Sequence, residues 1–193
     1  REYNRNMTYA VMTHEGFHQY CHFLFGESEA HRWFDEGHGD YYGGFEFQGR
    51  KAICKAKMPP GLERLSGIRT MIREDTYAPI SKHVRMDHGT WQSQGPENVS
   101  CYEESWSIIY FLRRGMAGEV SKRLWRPEYA NIIPEYMRVL NEEYQKAYEE
   151  AREKIRKSAE ADGREVKPED LQDVYIPTDK RDEIWDKATA ASW

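Results

Sequence analysis

The sequence predicts a mainly α-helical domain with one minor β-hairpin. Three observations carry that expectation. Apolar and aromatic residues recur at helical spacing through several long stretches of the 193 residues. Alternation of the strand kind is confined to one short segment, Phe45 to Ile53, which turns at Gln48-Gly49. Aromatic residues make up 13% of the chain, including six Trp, which supplies a core despite a mean hydropathy of -0.92. The length suits one compact domain, or one domain with an appended element.

The elements follow in order. The first helix is expected from about Met7 to Phe25, where Tyr9, Met12, Phe17, Tyr20, Cys21 and Leu24 fall at helical spacings and Gly26 can stop it. A second, short helix fits Ser28 to Tyr42, with Ser28 as N-cap and Gly43-Gly44 at its end. After the hairpin, Pro59-Pro60 introduces a segment with Leu62, Leu65, Ile68 and Ile72 on one helical face. Glu74 to Ser100 has no clear period and reads as an irregular surface loop, the sort of segment that often lines a site.

Ser100 to Gly115 is the best buried helix. Ser100 and Glu103 form a capping box, and Tyr102, Trp106, Ile109 and Leu112 carry the repeat to the glycine. From Pro127 to Ala161 runs a long amphipathic helix in which Ile133, Met137, Leu140, Tyr144, Ala147 and Ala151 step by four and three. It is expected to lie across the domain with one solvated, charged face; the alternative is a coiled-coil surface for a partner. Asp162-Gly163 ends it, and Thr178 caps a last helix through Ile184 and Trp185. The chain thus divides into residues 1–126 and a helical extension, 127–193, packing on or beyond them.

Composition narrows the function classes. Net charge is -5 and basic residues are spread rather than striped, which makes nucleic acid a poor partner. Three cysteines (Cys21, Cys54 and Cys101) with no C-x-x-C imply reduced thiols and no disulfide framework. No apolar run has transmembrane length and no signal peptide is visible. The chain opens on Arg1, thirteen residues before its first motif, and reads as a piece of something longer, so the compartment stays open.

That motif is "THEGFHQY", which contains His14-Glu15-x-x-His18. On a helix, positions i and i+4 lie one above the other, so both imidazoles can reach a single ion. Glu15 points roughly 100° around the helix, within reach of a water on that ion, and is the candidate general base. A catalytic zinc site needs three protein ligands and an open position. A third histidine six residues after His18 is not available, because Leu24 stands there. Glu36, eighteen residues after His18 and beyond a helix end and a short turn, sits where a second helix returning antiparallel would place a carboxylate. His22, one turn after His18, competes as a ligand in sequence, but Glu36 makes it unnecessary.

Together with Trp33-Phe34-Asp35-Glu36-Gly37, the motif resembles the gluzincin metallopeptidases, which include the aminopeptidase N and leukotriene A4 hydrolase group, thermolysin, and small single-domain bacterial relatives. "EGHGDYY" resembles the E-G-H-x-x-Y form of the leukotriene hydrolase branch, and "YEESWSIIYFL" resembles the aminopeptidase helix led by a tyrosine. The likeness covers roughly Thr8 to Leu112. It implies a zincin-like helical catalytic core, α+β where an upstream sheet is supplied, and zinc-dependent hydrolysis of peptide bonds in peptide or protein substrates. His14, His18 and Glu36 would hold the zinc, Glu15 would act as base, and Tyr102 would stabilise the tetrahedral intermediate, with Tyr110 as its rival.

The resemblance also implies that Asp40, one turn after Glu36, accepts the free N–H of a ligand histidine; otherwise it is an exposed carboxylate paired with Arg or Lys. His38 is a candidate substrate contact, or else a packed or surface histidine. Trp33 is expected to anchor the second helix. Two departures stand out. The sheet that precedes the zinc helix in gluzincins has almost no counterpart here, and Gly39 and Gly43-Gly44 differ from the commoner form. The alternative from another class is a catalytically silent module of this shape that binds a partner through 127–161.

Overall fold

The structure is a computed structural model that describes residues 5–25, 29–48, 51–54, 63–93, 99–172 and 174–193. Among them the chain forms eight α-helices and one two-stranded hairpin: α1 (Arg5–Phe25), α2 (Arg32–Gly43), β1 (Phe45–Gln48), β2 (Lys51–Cys54), α3 (Arg64–Glu74), α4 (Ile80–His83), α5 (His88–Ser93), α6 (Val99–Met116), α7 (Ile132–Ala161) and α8 (Thr178–Ser192). The mainly α-helical expectation holds. The expected hairpin forms, its strands antiparallel, but Gln48 belongs to β1 opposite Lys51 rather than to the turn.

α2 is the centre of the fold. Three of its twelve residues before the closing Gly43 are poor helix formers by type (Gly37, Gly39 and Asp40), so its own propensity is low and packing must stabilise it. One side lies on α1 and the other on α6. The contact with α6 is close: a Cβ at Gly37 would stand 2.7 Å from both the Ser105 carbonyl oxygen and Ile109 Cγ1. Glycine at 37 is therefore a requirement of helix approach. Trp33 and Phe34 fill the space beneath, both essentially without solvent contact.

One hydrophobic cluster runs from Phe17 and Cys21 on α1 through Ile109 and Leu112 on α6 to Leu140 and Tyr144 on α7 and Trp185 on α8. Residues on both sides of Arg126 thus share it. Tyr136 of α7 stacks on Phe34 with ring centroids 4.9 Å apart, and its hydroxyl accepts from the His31 backbone N–H at 2.9 Å. The Tyr144 hydroxyl (2.9 Å) and Trp185 Nε1 (2.7 Å) both donate to the Glu29 carbonyl. The late helices therefore grip residues 29–31, the segment from which α2 starts. His31 completes that start as N-cap: its Nδ1 accepts from the Trp33 N–H, while Nε2 contacts the Met86 carbonyl.

Several expectations change. α2 begins at Arg32, and Ser28 and Gly26 lie outside the described residues. On α1 only Phe17 and Cys21 of the predicted apolar set are buried, joined by Ala10 and Phe25; Tyr9, Met12, Tyr20 and Leu24 are exposed. α3 turns Met71 rather than Ile72 inward, because its contact with α6 runs along Gly67, where a Cβ would collide with the Glu103 carboxylate. The stretch from 74 to 93 is not irregular: it holds α4 and α5, with His83 fully buried against Ser105 Oγ (2.8 Å) and Glu104 Oε2 (3.0 Å). Ser100 lies inside α6, which starts at Val99, and Thr178 opens α8 behind Pro177 without capping it. The long helix expected from Pro127 begins at Ile132, because Pro127–Asn131 winds as a 3-10 turn. Its buried face keeps Ile133, Leu140, Tyr144 and Ala147, gains Ile132, Tyr136 and Ala159, and leaves Met137 and Ala151 partly buried. Its other face carries exposed ion pairs such as Arg138 with Glu135 and Glu142, which solvent screens and which add little to stability.

Candidate metal centre

The ligand positions on α1 follow from helix geometry alone. His14 and His18 stand one turn apart, and their ring centroids are 4.7 Å apart at an interplanar angle of 76°. His14 Nε2 lies 3.4 Å and His18 Nε2 3.7 Å from one oxygen of Glu36, Oε2. One atom from each of His14, His18 and Glu36 falls within 4.8 Å of the other two, so the three could hold a metal ion. A Zn–N or Zn–O bond is about 2.0–2.2 Å, so tetrahedral ligands stand about 3.4 Å apart, close to the 3.4 and 3.7 Å from the two Nε2 atoms to Glu36 Oε2. The donor set fits: two imidazole nitrogens and one carboxylate oxygen, on residues that also line a cleft.

Both rings are held from behind. His14 Nδ1 lies 3.1 Å from Asp40 Oδ1, and His18 Nδ1 lies 2.9 Å from Asp35 Oδ1. Each Nδ1 thus faces a carboxylate at ion-pair distance, though neither contact has hydrogen-bond geometry, and each Nε2 is left turned toward Glu36. As α1 advances from His14 to His18, the partner on α2 recedes from Asp40 to Asp35, so the two helices run antiparallel. Gly39 makes the closeness possible: a Cβ there would stand 2.9 Å from His14 Cε1. Asp40 is anchored in turn by Arg64 Nε at 2.7 Å, and Glu36 Oε1 accepts from Arg32 Nη1 at 3.1 Å.

Because α2 is enclosed, its polar groups need partners or a neutral form. Burial opposes a charge on His14, but the Asp40 and Glu36 carboxylates outweigh it and push its pKa up to about 10. The Asp35 carboxylate raises His18 against the opposing effect of burial. Burial works to raise Glu36, yet the two imidazoles and Arg32 hold it below the ordinary carboxylate range. Without an ion the cluster therefore keeps protons between its members, and a bound cation takes their place.

The cluster opens into a cleft of about 530 Å³, lined by His14, Glu15, His18, Glu36, Arg32 and Tyr102 among others. Glu15 is exposed on its wall. Tyr102 is half-buried, with the Arg64 guanidinium 5.0 Å from its ring centroid. Burial first, and then the charge of Glu36, raises its phenol, which stays a hydrogen-bond donor at neutral pH. Tyr110, its rival in sequence, stacks on Trp106 at 4.9 Å, away from this cleft. His22 lies on the cleft wall but outside the ligand group.

His38 is not in the cleft. It is fully buried, stacked on Phe17 at 5.0 Å, with Nδ1 donating to the Phe34 carbonyl (2.8 Å) and Nε2 accepting from Arg113 Nη2 (2.9 Å). Burial, reinforced by the Arg113 charge, lowers its pKa to about 3, so the ring is neutral and structural. Asp35 was missed in the sequence. Its signal was present: once Asp40 is given to His14, an antiparallel α2 leaves His18 facing residues one turn earlier, where Asp35 is the carboxylate available.

No family model, curated protein or solved structure matches the chain. The cluster and its cleft thus stand on their own geometry.

Proposed function

We propose that the protein is a zinc-dependent metallopeptidase that hydrolyses peptide bonds in peptide or protein substrates, with a zincin-like catalytic core. The observation that carries this reading is the convergence of both Nε2 atoms on Glu36 Oε2, at 3.4 and 3.7 Å, each ring backed by its own carboxylate. The likeness of His14-Glu15-x-x-His18 and Trp33-x-x-Glu36-Gly37 to the gluzincins supports it. His14, His18 and Glu36 hold the zinc, and Asp40 and Asp35 orient the rings.

Zinc held by these residues would supply Lewis-acid activation, making water nucleophilic near neutral pH and a carbonyl easier to attack. Glu15, on the cleft wall, accepts the proton of the attacking water at its carboxylate and passes it to the leaving amine. Tyr102, across the same cleft, donates its phenol hydrogen to the oxygen on which negative charge develops.

The test is metal analysis joined to one substitution. The purified protein should bind about one zinc per chain and cleave casein or an aminoacyl dye. Glu15→Gln should keep the metal and lose at least about a hundredfold in turnover, the scale of a missing general base. Full activity in Glu15→Gln would remove that residue from the mechanism. Failure to bind zinc would remove the whole reading.

A further inference from the structure

We propose that Arg32 selects substrates carrying a free carboxylate next to the bond to be cleaved, either an acidic side chain or a terminal carboxyl group. The inference rests on the peptidase reading of the same cleft and names its substrate class.

Arg32 is the first residue of α2 and a part of the cleft wall, with 28% of its side chain exposed. Its Nη1 donates to Glu36 Oε1, the oxygen turned away from the imidazoles. The guanidinium therefore stands one carboxylate's width from the point on which the ligands converge, about the reach of a residue flanking a scissile carbonyl. A guanidinium carries five N–H donors in a planar fork that matches a carboxylate in pairs. Among the described residues Glu36 is the one hydrogen-bonding partner of Arg32, a cleft-lining side chain, which leaves further guanidinium N–H donors without a protein acceptor.

Two of the four carboxylates lining the cleft already have partners elsewhere. Glu29 Oε2 is paired with Arg181 at 3.1 Å, and Asp35 is held by His18 at 2.9 Å. Among the described residues lining the cleft, Arg32 is the only Arg or Lys. An anionic group on a bound peptide thus meets one permanent positive charge, already fixed in place by Glu36 and hence bound with little loss of side-chain freedom.

The test uses Glu15→Gln protein loaded with zinc, in which peptides should bind without being cut. Calorimetry compares peptides differing only by Glu or Gln beside the target bond, and peptides with free or amidated C-termini. At least one carboxylate form should bind about tenfold to a hundredfold more tightly, the range for a hydrogen bond to a charged group. The arm that shows the preference identifies its source. Arg32→Gln should erase the preference, Arg32→Lys should retain part of it, and added salt should weaken it in the unsubstituted protein.

Zinc content is measured in each variant. If Arg32 only steadies Glu36, all peptides weaken together with the metal and the ratio does not move, which overturns the proposal. A ratio near one before substitution, a ratio that survives Arg32→Gln, or no peptide binding at all overturns it as well. Binding with the predicted ratio but no cleavage by the unsubstituted protein would instead remove the peptidase reading and leave the carboxylate site standing.

Discussion

α1 and α2 deliver ligands to one point from opposite surroundings. α1 is open on its far side: Tyr9, Met12, Tyr20 and Phe23 are 55%, 62%, 53% and 85% exposed, and a Cβ at Gly16 would meet nothing within 4 Å. α2 is closed on both sides, so Gly37 and Gly39 have no room for even one carbon. The electrostatics divide the same way. On α1, His14 faces two carboxylates that push it up to about 10 despite burial. On and beside α2, burial lowers His38 and His31 to about 3. The lesson is that an i, i+4 pair is aligned by the helix itself, whereas a single carboxylate is aimed only by what encloses its helix.

The largest expected effect is on packing. Trp33→Ala should cost about 3–5 kcal/mol of stability, the range for a fully buried Trp, while Phe23→Ala on the open face should stay within about 0.5 kcal/mol. Calorimetric or denaturant unfolding checks both, and equal losses would break the contrast between the two helices.

Next is the pH dependence of the metal-free protein. Below 6.5 the unfolded chain takes up protons on His31 and His38 that the folded protein accepts only near 3. Stability should therefore fall on acidification, by about 1.4 kcal/mol per pH unit for each ring. His14 has the opposite sign. Its contribution is fully present below 6.5 and is lost as pH rises through about 10. Melting temperature should peak near neutral pH, and zinc should remove the alkaline limb by displacing the His14 proton. An alkaline limb unchanged by zinc would count against His14 as a ligand.

Smaller, and confined to the site, is the loss on Asp35→Asn or Asp40→Asn. Each should weaken zinc binding by about 10–100-fold in a chelator competition. A change in one and not the other would show that only one ring depends on its support. Smallest is the glycine pair. Gly37→Ala should destabilise by about 1–3 kcal/mol through collision with the Ser105 carbonyl, whereas Gly16→Ala should stabilise by about 0.5–1 kcal/mol. The same sign at both positions would overturn the open-and-closed distinction.

Much of the site was legible because it obeys local rules. The His14/His18 pair is a spacing on one helix, and Glu36 followed from the length of chain needed to turn back. The extent of α6 and the end of α7 were legible too, since a long apolar stripe has a clear period, but α7 starts at Ile132, after a separate 3-10 turn over Pro127–Asn131. Where local pattern misled, contacts from distant parts of the chain decided. Ile72 fits the stripe of α3, yet Met71 is buried because Gly67 sets how α3 meets α6. His38 reads like a cleft residue from its place after Glu36, but two residues along a helix point to different sides, and its side is the core.

By itself, then, the sequence determined the longer helices, the hairpin and the three residues capable of meeting at one ion, because these depend on periodicity and short-range chain geometry. Only the tertiary structure decided that Asp35 supports His18 while Asp40 supports His14, that His38 is inside, and that α7 and α8 hold the start of α2 through Glu29 and His31. Those outcomes depend on how α2 is rotated and enclosed, and rotation about a helix axis is set by close packing between elements far apart in the chain.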